Sequence, residues 1–154
     1  MTLLLDGVNH IGIVTEDTDR LVAFYRDNFG ATAHTVEDND QIKLTFIDIG
    51  ERRELNVFEL KGDAPHFNRG DMLTNGAIDH IGLQAASKDA FDEIRRRLMA
   101  CGATDGFVTD FGIALSLFFR DPDGLGGEVL IGVPGATKSN PPGTPAAGYE
   151  VGVP

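Results

Sequence analysis

The chain has 154 residues, 42% of them hydrophobic, with 24 acidic against 13 basic side chains and a net charge of −11. That is enough apolar material for a domain-sized core, and the charge excludes nucleic acid and anionic membrane as natural partners, since most of the surface would repel them. One cysteine, Cys101, excludes a disulfide framework and a cysteine-built zinc site; with no signal-peptide pattern or long apolar run, a cytoplasmic address is expected.

Val8 to Val14 alternates with branched apolar residues and predicts a strand. Asp17 or Thr18 can cap a helix in which Leu21, Phe24 and Tyr25 share one face, and Gly30 stops it. Strands are expected near Thr32 to Val36, Gln41 to Ile49 and Glu54 to Leu60, punctuated by Asn39-Asp40 and Gly50-Glu51. Residues 61–76, rich in Gly, Pro, Asn and Asp, read as a crossing loop. A fifth strand follows around His80. Ser87 then caps a helix with Phe91, Ile94, Leu98 and Cys101 on one apolar stripe, which makes Cys101 inert core, and Gly102 ends it. Three more strands fit Thr104 to Thr109, Gly112 to Phe119 and Gly127 to Val133, with Asp121-Pro122-Asp123-Gly124 as the turn before the last. The tail, 134–154, carries five prolines and should be extended or disordered.

These elements repeat. Val8-Asn9-His10-Ile11-Gly12 returns as Ile78-Asp79-His80-Ile81-Gly82, and Phe29-Gly30-Ala31-Thr32 returns as Cys101-Gly102-Ala103-Thr104. Two copies are too few for a solenoid, so the chain reads as two related halves, 6–60 and 77–133, within one domain spanning 1–133. Each half is a strand, a helix and three strands, an α+β arrangement.

Each half also places a histidine on its first strand and a glutamate on its last. His10 to Glu59 is 49 residues and His80 to Glu128 is 48. Two imidazoles with one or two carboxylates suit Fe, Mn, Co, Ni or Zn as a divalent ion, with positions left for substrate. A lone strand histidine is usually structural, but packing alone does not explain two at equivalent positions. Glu128 is an acid within an apolar strand and needs a compensating partner. Glu59 has a similar context, with Arg52, Arg53 and Lys61 near enough to make it a plain ion pair. Weaker candidates are His66, as an acid or anchor in the crossing loop, and Arg69 and Arg120, as carboxylate binders. His34 should face solvent. Phe46, Phe58, Phe67, Phe111 and Phe118 are expected in the core, or else lining a ligand cleft.

The repeated DHIG strand, the FYRDNFGA helix end and the DPDGxxGEVLI closing strand resemble the vicinal oxygen chelate superfamily, the group of glyoxalase I, extradiol dioxygenases and bleomycin resistance proteins. The resemblance covers about residues 6 to 133. It implies two tandem βαβββ modules forming a curved mixed sheet around a metal-binding cleft, commonly in a homodimer. Carried over by position, His10, His80 and Glu128 fall on the family's metal ligands, and Glu59 falls on the fourth-strand glutamate of glyoxalase I. The resemblance therefore implies one bound divalent metal and a small substrate chelated through vicinal oxygens. It further implies glyoxalase-like lyase or isomerase chemistry, with Glu59 and Glu128 as catalytic carboxylates. An Fe(II) dioxygenase and a non-catalytic ligand-sequestering protein are the alternatives. Where extradiol dioxygenases carry an extra histidine and a tyrosine, this chain has Arg53-Glu54 and Phe118-Phe119.

Overall fold

A computed structural model describes residues 8–62 and 78–149. The chain divides into two compact units, Met1–Asn68 and Arg69–Pro154, each built around its own four-stranded mixed sheet.

The first unit runs β1 (His10–Thr15), α1 (Thr18–Phe29), β2 (Thr32–Asp38), β3 (Ile42–Asp48) and β4 (Glu54–Leu60), in sheet order β1-β4-β3-β2. Asp17 starts α1 by accepting a hydrogen bond from the backbone N–H of Arg20 at 2.9 Å, and Gly30 stops it in the left-handed region at φ 71°. The helix cannot lie flat against solvent because Leu21 and Tyr25 need burial, and both are at most 1% exposed. They pack with Ile47, Leu55 and Val57, which share one face of the sheet because side chains alternate along each strand. Lys43 and Glu59 are on that face too: Lys43 Nζ reaches Asp19 of α1 at 2.7 Å, and Glu59 pairs with Lys43 in the β3–β4 ladder. His10, Gly12, Phe46, Asn56 and Phe58 belong to the opposite face by the same alternation.

The second unit repeats the plan as β5 (Ile81–Gln84), α2 (Lys88–Ala100), β6 (Val108–Asp110), β7 (Ala114–Arg120) and β8 (Gly126–Gly132), in order β5-β8-β7-β6. Ser87 caps α2 through the backbone N–H of Ala90. Phe91 and Leu98 point into a core with Val108, Leu117 and Val129. Phe119 and Gly127 face each other across β7 and β8, and a Cβ at Gly127 would lie 2.1 Å from the Phe119 ring, so only glycine leaves that ring its place. The Asp121-Pro122-Asp123-Gly124 turn forms as expected: buried Asp121 accepts hydrogen bonds from the N–H groups of Asp123 and Leu125.

Two expectations need correction. The strand expected from Thr104 contracts to Val108–Asp110, because Thr104 and Asp105 spend their side-chain oxygens on the N–H groups of Gly106 and Phe107 and hold a turn instead. Cys101 is exposed rather than core: α2 ends at Ala100, so Cys101 caps the helix and leaves the apolar stripe. Of the two forms expected for the tail, residues 134–149 take the extended one and pack on the second unit. Ala146 donates to the Val108 carbonyl at 2.9 Å, and Asp110 donates to that of Thr144 at 2.8 Å, which makes an isolated bridge beside β6. Tyr149 then sits edge-on to Phe91, donates to Asp92 at 2.5 Å, and lies under the cations of Lys88 and Arg95. Replacing Tyr149 with alanine should therefore lower stability by about 1–3 kcal/mol, read as a lower urea midpoint, whereas Tyr149→Phe should keep most of the packing.

Candidate metal centre

The second unit brings His80 and Glu128 together. Glu128 lies in β8 opposite Gly82, two residues beyond the histidine, and glycine leaves that stretch of the sheet face open. His80 Nε2 stands 3.4 Å from Glu128 Oε2. The outer atom of each group is already held: His80 Nδ1 pairs with Asp79 Oδ2 at 2.8 Å, and Ser116 Oγ donates to Glu128 Oε1 at 2.5 Å. Glu128 is 9% exposed, and the Phe118 ring packs edge-on against the imidazole at 5.2 Å.

This arrangement fits a cation. An imidazole that donates its Nδ1–H to Asp79 turns the lone pair of Nε2 toward the lone pairs of Oε2, a repulsive pairing that a shared positive charge relieves. Imidazole nitrogen with carboxylate oxygen is a donor set for borderline divalent ions. Among the described residues no group of three or more His, Cys, Asp or Glu side chains is placed to hold a metal ion, and the His80–Glu128 pair offers two donors.

In the first unit His10 repeats the local geometry of His80, with Nδ1 2.9 Å from Asn9 Oδ1 and the ring exposed. Glu59 does not repeat Glu128. The ladder pairs His10 with Glu54, and Glu59 lies five residues farther along, roughly 16 Å away at strand rise. Five is odd, so Glu59 is also on the opposite face of the sheet from His10. Its carboxylate accepts the backbone N–H of Thr18 at 2.9 Å, at the start of α1, and Lys61 Nζ at 3.1 Å. The residue that does correspond to Glu128 is Asn56, opposite Gly12 and Phe46 just as Glu128 is opposite Gly82 and Phe118. Asn56 Oδ1 is buried without a hydrogen-bond partner among the described residues. Glu59 therefore stands apart from His10 in the first unit, and its carboxylate is engaged at the start of α1.

The Thr18 N–H, with Lys61 beside it, holds the Glu59 carboxyl down to about 2 from its ordinary 4.5. A depressed carboxylate stabilises the fold fully above the unfolded value and loses that contribution as pH falls from about 4.5 toward 2. Glu59→Gln should cost about 1–2 kcal/mol at pH 7, and in urea titrations the gap from wild type should narrow below about pH 4.5 and close only near pH 2.

The weaker candidates resolve differently. His34 is exposed on β2, edge-on to Phe46. Arg120 donates to the Gly124 carbonyl at 3.2 Å and so braces the turn before β8. Phe46, Phe58 and Phe111 are half-buried, and Phe118 is exposed. His66, Phe67 and Arg69 lie outside the described residues. Sequence reasoning passed over Asp79 and Ser116, although an oxygen-bearing side chain precedes the histidine in both copies of the repeat and could have flagged the first.

Two βαβββ units, each a four-stranded mixed sheet with one helix, define the class of this chain as an α+β protein built from a repeated module. The model of the Glyoxalase/Bleomycin resistance protein/Dioxygenase superfamily matches residues 7–129, and the chain belongs to that family. Similar solved structures share its fold. A glyoxylase/bleomycin resistance protein/dioxygenase domain from Frankia sp. EAN1pec is 20% identical over 85% of this chain and 95% of its own, with a TM-score of 0.67. The fosfomycin resistance protein FosX from Listeria monocytogenes, in a glutamate-to-glutamine variant complexed with Mn(II) and 1S,2S-dihydroxypropylphosphonic acid, is 22% identical over 85% and 96%, at 0.61. A lactoylglutathione lyase from Agrobacterium tumefaciens is 23% identical over 83% and 95%, at 0.57. No curated protein matches the chain. No helix among the described residues is long and apolar enough to cross a membrane.

Proposed function

We propose that this protein is a divalent-metal-dependent enzyme that holds a small substrate through two neighbouring oxygens. The observation that carries the reading is the His80–Glu128 pair, 3.4 Å apart, with the far atom of each group already engaged. His80 and Glu128 would hold the ion. Mn(II) in the FosX complex makes that ion a natural first trial.

A bound ion would supply Lewis-acid polarisation of a substrate oxygen. The chain's own residues do the rest. Asp79 keeps the Nδ1 proton on His80 and so keeps Nε2 available. Ser116 holds one Glu128 oxygen still while the other faces the reaction. Phe118 excludes water from one side of the imidazole and offers an apolar wall to substrate.

Glyoxalase-like proton transfer is the leading chemistry, with Glu128 as the carboxylate beside the transferred proton. A second reading is an Fe(II) dioxygenase, since an imidazole with a carboxylate suits Fe(II) equally well. A homodimer belongs to the proposal: β2 is exposed along its whole length, and a second copy would cover its unpaired backbone edge.

The experiment is metal analysis of untagged protein followed by oxygen uptake with catechols. Near-stoichiometric metal without oxygen uptake supports the lyase or isomerase. Iron with oxygen uptake supports the dioxygenase. A chain that takes up no metal even after reconstitution would be a ligand-sequestering protein.

A further inference from the structure

The two sheets differ at the buried hydroxyl of Ser116. Across β3–β4, Leu44 pairs with Phe58 and Phe46 with Asn56; across β7–β8, Ser116 pairs with Leu130 and Phe118 with Glu128. Both pairs of strands therefore align at one spacing of 72 residues, and Ser116 corresponds to Leu44 as Glu128 corresponds to Asn56. The unit with the carboxylate has the serine; the unit with the neutral amide has leucine in its place. A polar side chain on an inner strand needs a reason to be there, since burying a hydroxyl costs free energy unless it is hydrogen-bonded. Ser116 is 1% exposed, and its Oγ donates to Glu128 Oε1 at 2.5 Å.

We infer that Ser116 is a positioning residue that holds Glu128 with Oε2 presented to the metal. The inference rests on the metal site proposed above. The carboxylate has two oxygens, and they are not equivalent here: Oε1 is taken by Ser116, while Oε2 faces His80 Nε2. A carboxylate free to rotate would have to be ordered when the ion binds, and that cost would weaken binding. One held by Ser116 has its Oε2 in place before the ion arrives. Asp79 acts on the partner ligand in the same sense, by fixing the imidazole ring through Nδ1. In the first unit Asn9 does this for His10, so the histidine brace is shared by the two units while the hydroxyl brace is confined to the unit with the glutamate.

The test uses full-length protein and Mn(II) alone, with free Mn(II) read by electron paramagnetic resonance. Wild type, Ser116→Ala, Glu128→Gln and the double variant are titrated in parallel. Ser116→Ala should weaken Mn(II) binding by about 10–100-fold, the range for residues that orient a ligand, and should add nothing to the loss already caused by Glu128→Gln. Ser116→Thr and Ser116→Val, equal in shape and different only in the hydroxyl, guard against a packing defect: the threonine should retain affinity and the valine should lose it. Wild-type protein that binds Mn(II) alongside a Ser116→Ala variant that binds it equally well would overturn the inference and leave the metal site standing. So would an equal loss from Ser116→Ala in both Glu128 backgrounds. Wild-type protein that binds no Mn(II) would overturn both the inference and the site.

Discussion

His80→Ala and Glu128→Gln should each lower divalent-metal affinity by more than about 100-fold, beyond what is usual for residues that merely orient a ligand. The two substitutions act for different reasons. Alanine at residue 80 removes the Nε2 donor and leaves the Asp79 carboxylate without the ring it holds at 2.8 Å. Glutamine at residue 128 keeps the shape of the side chain but exchanges a charged acceptor for a neutral amide, so the ion loses its nearest negative charge. Since Glu128 is 9% exposed, that charge is poorly screened by water, and its loss weighs more than it would at the surface. Glu59→Gln supplies the control. It removes a carboxylate of the same kind and should leave metal affinity within about twofold, because that residue lies on the helix side of its sheet and caps α1. Titration of all three variants with Mn(II), with melting curves of the metal-free proteins alongside, separates ligands from structural acids. A Glu59→Gln variant that lost metal as Glu128→Gln does would contradict the strand register on which this assignment stands.

Phe91→Ala should be the most damaging single substitution in the second unit, at about 3–5 kcal/mol. The ring is 0% exposed, lies on the apolar face of α2, and makes an edge contact with Tyr149 at 6.0 Å. Its removal leaves a cavity under the sheet and frees the tail that packs over it. For a unit of this size, a loss of that order is comparable with the whole stability expected, and the melting temperature should fall by on the order of 15 °C or more. Cys101→Ala, predicted from the sequence to lie on the same stripe, should have an effect within about 0.5 kcal/mol because the side chain is exposed. Circular dichroism melts of the two variants compare the end of the helix with its middle.

The duplication was legible in the residues because chemistry that each half needs had to be written twice: a glycine to stop each helix or its overrun, a capping oxygen before it, a histidine opening each sheet. Asp17, Ser87 and Gly30 announce their helix ends through local hydrogen bonding and backbone conformation, which depend on near neighbours alone. The bounds of β4 were equally readable from Glu54 to Leu60. Ser116 was not. A serine in Ala-Leu-Ser-Leu-Phe has no visible purpose until the neighbouring strand brings a carboxylate beside it.

Glu59 shows where reading along the chain stops. Spacings of 49 and 48 residues from histidine to glutamate look interchangeable, yet they place the two carboxylates on opposite faces of equivalent sheets, because a single residue of register exchanges the faces. By itself the sequence determined the repeated βαβββ plan, the helix caps and the His80–Glu128 candidate pair, all of which follow from local patterns and from repetition. Tertiary structure alone decided that Asn56 stands where a second glutamate was expected, that the tail packs beside β6, and that Ser116 holds Glu128. Those facts depend on pairing between strands distant in the chain, and only the hydrogen-bond ladder sets that pairing.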